Sequence, residues 1–174
     1  YLEVAGYNFT TSLWFKTLDN GTLYSEYYTL TCIGDYYKID INDSGVVFFD
    51  FISLGADSRV YLNSSAPYND GNWHHVVAVR DADRAGKLYL DGSLVAEDTD
   101  DSGTGASVDI TTNLTIGSTP CGADRFNGTI DEILVYHRAL SAYEVSNLYH
   151  HNNTMLDSGT TSSGEKWKVK ITPI

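Results

Sequence analysis

Basic residues are scarce in this chain. Eleven Lys and Arg stand against 23 Asp and Glu, giving a formal charge of −12 and a sequence pI near 4.5. Nucleic acids and anionic membranes both reward clustered Lys and Arg, so neither is an expected partner. Long apolar runs are missing too: stretches such as Ile133 to Tyr136 are far too short to span a bilayer. No signal peptide opens the chain. Tyr1-Leu2-Glu3-Val4 already reads as a strand, which predicts a processed or excised piece. Cysteine occurs only at positions 32 and 121, without CxxC or zinc-ligand spacing. Methionine occurs once and proline three times.

What is abundant is tyrosine, with 13, and glycine, with 15, a mixture that favours strands and turns over helices. At 174 residues the chain fits one domain with a substantial core. Asn-X-Ser/Thr sequons occur at Asn8, Asn20, Asn42, Asn63, Asn113, Asn127 and Asn152, none with proline in the middle. Chance placement of the asparagines would give only about two, so a secreted or cell-surface glycoprotein is expected. In that setting Cys32 and Cys121 are expected to form a disulfide, the alternative being two buried free thiols.

Strand follows strand along the chain. Tyr7 to Thr17, Tyr36 to Ile41, Val46 to Ile52, the short Val60 to Leu62, Leu114 to Gly117 and Gly128 to Tyr136 read as strands. Asn20-Gly21 marks a turn, and Asp43-Ser44-Gly45 closes a hairpin. His75-Val76-Val77-Ala78-Val79 predicts a strand buried on both faces. Lys87 to Leu90 and Ser93 to Ala96 flank Asp91-Gly92, a type I′ hairpin signal. Ser141-Ala142-Tyr143-Glu144 has capping-box spacing ahead of a short helix through Val145, Leu148 and Tyr149. The expected class is therefore all-β, a two-sheet antiparallel sandwich with one short C-terminal helix. A polar linker over 151–165 and an extra strand over 166–174 follow the domain at 1–150.

Four segments in order carry a family resemblance: Asn69 to Val79, Gly86 to Gly92, Leu114 to Gly117, and Phe126 to Tyr149. They resemble the motifs of laminin-G-like domains in the concanavalin A-like lectin/glucanase superfamily. The resemblance implies a jelly-roll sandwich, working as a non-catalytic extracellular adhesion or carbohydrate-binding module. Two departures from that family are visible: residues expected before Tyr1 are missing, and Lys166 to Thr172 is an additional strand. The chain is thus a fragment of a longer surface protein, or its tail supplies the missing strand within the chain or to a neighbour. The second reading makes it a structural subunit of a filament or sheath assembled by strand donation. Trp167, Val169 and Ile171 would then be the assembly residues.

Candidate chemistry follows from both sources. The glucanase branch uses paired glutamates on one strand, and the nearest match here is Lys38 to Asp43. Lys38 occupies the nucleophile position and cannot serve, and the strand parity of Asp40 and Asp43 sets them on opposite faces. No Ser, Cys or His nucleophile constellation is present. The resemblance implies structural Ca²⁺ at Asp131, with Glu3 joining it if the chain ends meet; Asp98, Asp100 and Asp101 are an alternative loop site. His150-His151 is a weak metal signal. Tyr24, Tyr27, Tyr28, Tyr36 and Tyr37 are dense enough for an aromatic platform against sugar rings, whereas Trp14 and Trp73 are expected in the core. Glycans or other surface proteins are the expected partners.

Overall fold

The computed structural model describes residues 8–27, 30–32, 34–53, 58–81, 85–98 and 113–150. Among them, ten strands precede one helix: β1 (Phe9–Thr17), β2 (Gly21–Tyr27), β3 (Tyr36–Ile41), β4 (Val47–Ser53), β5 (Ser58–Asn63), β6 (Trp73–Arg80), β7 (Gly86–Leu90), β8 (Ser93–Asp98), β9 (Asn113–Ile116), β10 (Gly128–Tyr136) and α1 (Ala142–Tyr149). They form two five-stranded antiparallel sheets, in the order β10-β1-β6-β7-β8 and β5-β4-β3-β2-β9. This is the two-sheet sandwich with a short helix that the sequence predicts. Residues 151–174, with the linker, the extra strand, Trp167, Val169 and Ile171, lie outside the described residues.

Alternation along each strand builds the core. Tyr37, Ile39 and Ile41 of β3, Val47, Phe49 and Phe51 of β4, and Phe9, Leu13 and Phe15 of β1 all point between the sheets. In β6 every residue from His75 to Arg80 is buried, as the apolar run predicts. Val76 and Ala78 join the inter-sheet core, while Val77 and Val79 belong to a second cluster with Tyr89, Leu140 and Val145. That second cluster exists because α1 lies over the outer face of the first sheet.

The helix is fixed at its start. Ser141 caps it, its side chain accepting from the Glu144 amide while Glu144 reaches back to the Ser141 N–H at 2.8 Å. A hydrogen bond from Arg138, together with the Ser141 backbone and hydroxyl, pulls the Glu144 carboxyl down to about 2 against some desolvation. Thr10 of β1 ties in the approach to the helix, donating to the Arg138 carbonyl at 2.9 Å and accepting from the Leu140 N–H at 3.0 Å. At the far end Tyr149 packs against the β7–β8 turn. Asp91 and Gly92 both have positive φ there, 49° and 75°, as a type I′ turn requires. A Cβ on Gly92 would lie 2.9 Å from the Tyr149 ring, so glycine is needed for space as well as for φ.

One strand and the placement of the two tryptophans depart from the sequence reading. β2, from Gly21, is a central strand with all seven residues buried, although Gly21 reads as part of a turn. Its pattern is obscured because Ser25 and Glu26 are buried alongside Leu23 and Tyr24. Glu26 faces the core: it stands opposite Tyr37, is 2% exposed, and accepts from the Tyr24 hydroxyl. Burial pushes its carboxyl up to about 7, with the Tyr24 hydrogen bond pulling the other way.

Trp73 is the second departure. It begins β6 and is 43% exposed, so it is not a core residue; the strand passes under cover only after it. Trp14 is half-buried on the outer face of the first sheet, stacked on Tyr149 with centroids 5.7 Å apart and packed 5.0 Å from His75. His75 is held there by Ser12 at 2.8 Å. His74 is bridged between Asp91 at 2.9 Å and Asp70 at 3.0 Å.

Candidate functional site

Among the described residues no helix covers the outer face of the second sheet, and its outward positions are set by the same alternation that fills the core. Lys38 and Asp40 point outward from β3, Phe48 and Asp50 from β4, and Arg59 and Tyr61 from β5. The register places Lys38 opposite Asp50, and Asp50 opposite Tyr61. A groove of about 450 Å³ runs over this face, lined by Asn20, Lys38, Asp40, Asn42, Asp43, Phe48, Asp50, Tyr61 and Asp124, among others.

The long connection between β9 and β10 supplies the far rim. The Cys32–Cys121 disulfide, with Cα atoms 5.9 Å apart, ties it to the β2–β3 connection. Beyond Cys121 the chain hydrogen-bonds to β2 through Thr22 N–H to the Asp124 carbonyl at 2.8 Å. Asp124, at φ 52°, is thereby set at the groove edge.

Within the groove the charges are organised. Lys38 pairs with Asp40, two residues on along the same face of β3. Burial raises the Asp40 carboxyl, the Lys38 ammonium partly opposing it; the Lys38 amine is itself raised, because Asp40 outweighs a desolvation that acts to lower it. Asp50 is only 4% exposed. It accepts from the Tyr36 hydroxyl at 2.7 Å and faces Arg59 Nε and Nη2 at 3.4 Å. Thr22 Oγ1 and Asp40 Oδ1 are both buried across the β2–β3 pair, where the Thr22 hydroxyl also acts to lower the Asp40 carboxyl against its burial. Tyr61 presents an aromatic face, 49% exposed, with Phe48 5.6 Å behind it and the Arg59 guanidinium 5.0 Å from its ring.

Several expected site residues fall elsewhere. Tyr24 and Tyr37 are wholly buried in the core and Tyr27 is buried against Tyr36, so these three form no sugar platform. Tyr36 is half-buried with its hydroxyl committed to Asp50; Tyr28 lies outside the described residues. The aromatic face belongs to Tyr61 and Phe48, which tyrosine density does not reveal. Strand parity in β4 and β5 does. Asp43 is a second correction: it lies in the turn beyond the end of β3, where strand parity no longer applies, and it lines the same groove as Asp40.

Asp131 is exposed on β10, opposite Trp14, and its Oδ1 accepts from the Glu132 N–H at 2.8 Å. Glu3, Asp100, Asp101 and His151 lie outside the described residues. Among those described, no three His, Cys, Asp or Glu groups gather where they could hold a metal ion. Of the sequon asparagines, Asn42, Asn63 and Asn127 are exposed, while Asn8 and Asn20 are partly covered. Asn20 and Asn42 line the groove itself. The side chain of Asn113, and Asn152, fall outside the described residues.

A family model described as the concanavalin A-like lectin/glucanases superfamily, of laminin G type, matches residues 2–146. The chain belongs to that superfamily. Among curated relatives, Neurexin-4 of Drosophila melanogaster is 30% identical over 112 residues, 64% of this chain and 9% of that protein. Adhesion G-protein coupled receptor V1 of Danio rerio is 28% identical over 148 residues, 82% of this chain and 2% of that protein. The chain thus spans less than a tenth of the length of these curated relatives. Among solved structures, the Ruminococcus gnavus IT-sialidase CBM40 bound to α2,3-sialyllactose superposes with a TM-score of 0.71 at 21% identity, covering 84% of each chain. Mouse laminin α1 domains LG4-5 superpose with a TM-score of 0.62 at 22% identity, covering 78% of this chain and 37% of that one. At these identities the structural likeness establishes the fold.

Proposed function

We propose that this domain is a non-catalytic, extracellular recognition module that binds neutral glycans on the open face of the sheet β5-β4-β3-β2-β9. The observation that carries the reading is the groove itself: an exposed tyrosine face beside a row of carboxylates, amides and one ammonium. A sugar ring lays its apolar face on an aromatic side chain while its hydroxyls bridge fixed polar groups, and Tyr61 with Asp40 and Asp50 offers that combination.

Charge selects among sugars. Asp40, Asp43, Asp50 and Asp124 line the groove against Lys38 and the neighbouring Arg59, four carboxyls to two cations, so a neutral sugar is favoured over an acidic one. Hydrolysis is disfavoured because Lys38, held as an ammonium by Asp40, stands where the glucanase branch places its nucleophile. The disulfide, the seven sequons and the likeness to an adhesion receptor support an extracellular setting.

A glycan array of neutral and sialylated oligosaccharides tests the reading. Binding to neutral sugars, weakened at least tenfold by Tyr61→Ala and by Asp50→Asn, is the expected result. Binding confined to sialylated glycans, or unaffected by both substitutions, would refute it. The 28% likeness to an adhesion receptor favours a second reading, adhesion to a protein through the same face. A silent array combined with cell attachment that Tyr61→Ala abolishes would select it. Calcium at Asp131 and Glu3 is a separate proposal, tested by whether a chelator lowers the melting midpoint.

A further inference from the structure

The other sheet holds a second cavity, on its outer face next to α1. It measures about 250 Å³ and is lined by Trp14, Trp73, Asp131 and Glu132. Two indoles and two carboxylates in one small space are an unusual lining for a surface that could have been covered by the helix.

The carboxylates are there because of a β-bulge. Going from Ser12 to Trp14 advances β1 by two residues, whereas their partners on β10 run from Leu134 to Asp131, an advance of three. The extra residue lies where Glu132 adopts a φ of 48°, a left-handed conformation that a non-glycine residue adopts only at a cost. In a regular strand Asp131 and Glu132 would face opposite sides of the sheet. Here Ile133 and Ile130 both pack into the core, and the two acidic residues between them both line the cavity beside Trp14. The strained residue thus brings a second carboxylate to the indoles.

The indole wall is pre-organised. Trp14 is stacked on Tyr149 at an interplanar angle of 14° and packed against His75, which Ser12 holds. Trp73 forms the open side. An indole face attracts a cation through its quadrupole, and a nearby carboxylate adds Coulomb attraction, so the lining selects an organic cation over a neutral or anionic group. We propose that the Trp14–Trp73–Asp131–Glu132 cavity binds an alkylammonium group. This site is independent of the groove on the opposite sheet, so either can fail without the other.

The test is tryptophan fluorescence of the full 174-residue chain titrated with two probes, choline for a free quaternary ammonium and Nα-acetyl-lysine methylamide for a lysine side chain. The neutral isostere of choline, 3,3-dimethylbutan-1-ol, is the control. Saturable quenching by one or both cations is expected, at least tenfold weaker for the isostere, and the stronger cation identifies the source. NMR chemical-shift perturbation provides the readout for Trp73→Ala, which removes a reporter. Trp73→Ala and Asp131→Asn are each expected to weaken cation binding at least fivefold. Glu132→Gly separates binding from folding: it relieves the left-handed strain and raises the melting midpoint by about 2–4 °C, while weakening cation binding. No saturable response to either cation, equal response to the isostere, or binding unchanged in all three variants would overturn the proposal.

Discussion

The two sheets treat their outer faces in opposite ways. On the first, Val77, Val79 and Tyr89 make an apolar patch that Leu140 and Val145 close from above. On the second, the equivalent outward positions are Lys38, Asp40, Asp50, Arg59 and Tyr61, and no described helix lies over them. Both faces arise from the same period-two alternation. An apolar outer face must be covered, and the chain spends its one described helix there; a polar outer face is stable in water and stays free for a ligand. The contrast separates residues that hold the fold together from residues available to bind.

The sharpest way to break the contrast is to open the closed face. Leu140→Ala removes a buried side chain between α1 and the sheet and is expected to cost about 2–5 kcal/mol in denaturant unfolding. A cost below 1 kcal/mol would mean that the helix is not a structural lid.

The second prediction compares carboxylates on the two sides of one sheet. Glu26 faces the core, whereas Asp40 and Asp50 face the groove. The Glu26 carboxyl sits near 7 in the folded protein against an ordinary 4.5. Between those values the folded state holds a proton that the unfolded state has released. Stability therefore falls as pH rises from about 4.5 to about 7 and is level above, a loss of roughly 3 kcal/mol from this group. Glu26→Gln keeps an acceptor for the Tyr24 hydroxyl and should flatten that part of the profile, gaining most at pH 8. Urea melts at pH 5 and pH 8 check this, and a variant weaker at both would count against a neutral Glu26.

The third concerns the open face. Tyr61→Ala should cost under about 1 kcal/mol of stability, as expected of a surface residue, while lowering glycan affinity at least tenfold, read by titration with the best array hit. A large stability loss would make Tyr61 part of the fold instead. The smallest effect is at the helix start. Glu144→Ala removes half of the capping box and the partner of Arg138 and is expected to cost about 1 kcal/mol near neutral pH. That contribution should fade progressively as pH falls from about 4.5, the ordinary carboxyl value, to about 2, where the folded-state Glu144 carboxyl protonates.

The parts of the fold legible in the sequence were those with local signals. Asp91-Gly92 between β-rich runs, the apolar run in β6 and the Ser141–Glu144 box each specify geometry within a few residues. β2 was not legible, because its burial depends on Glu26 sharing a hydrogen bond with Tyr24, and no periodicity announces such a pair. The candidate site was misplaced for a related reason. A cluster of tyrosines says nothing about which face each occupies; Tyr24 and Tyr37 turned inward, while Tyr61, isolated in a short strand, turned outward. Strand parity does not reach Asp43, because β3 stops at Ile41, two residues before it. The bulge that brings Asp131 and Glu132 together depends on the pairing register with β1, which exists only once the strands meet.

The pairing of β1 with β10 also decides how the domain responds to force. Thr10 pairs with Tyr136 at one end of the ladder and Thr17 with Gly128 at the other. A pull between Phe9 and the end of α1 therefore loads a single end. Once the Thr10 hydroxyl's bonds to the 138–140 segment give way, the ladder would peel one hydrogen bond after another. The unravelling would then stop, because the Cys32–Cys121 bond encloses a sequence separation of 89 residues, roughly 300 Å of chain that tension cannot draw out. The same covalent tie that sets the rim of the groove would act as an arrest, limiting how far a tethered copy of this domain lengthens under load.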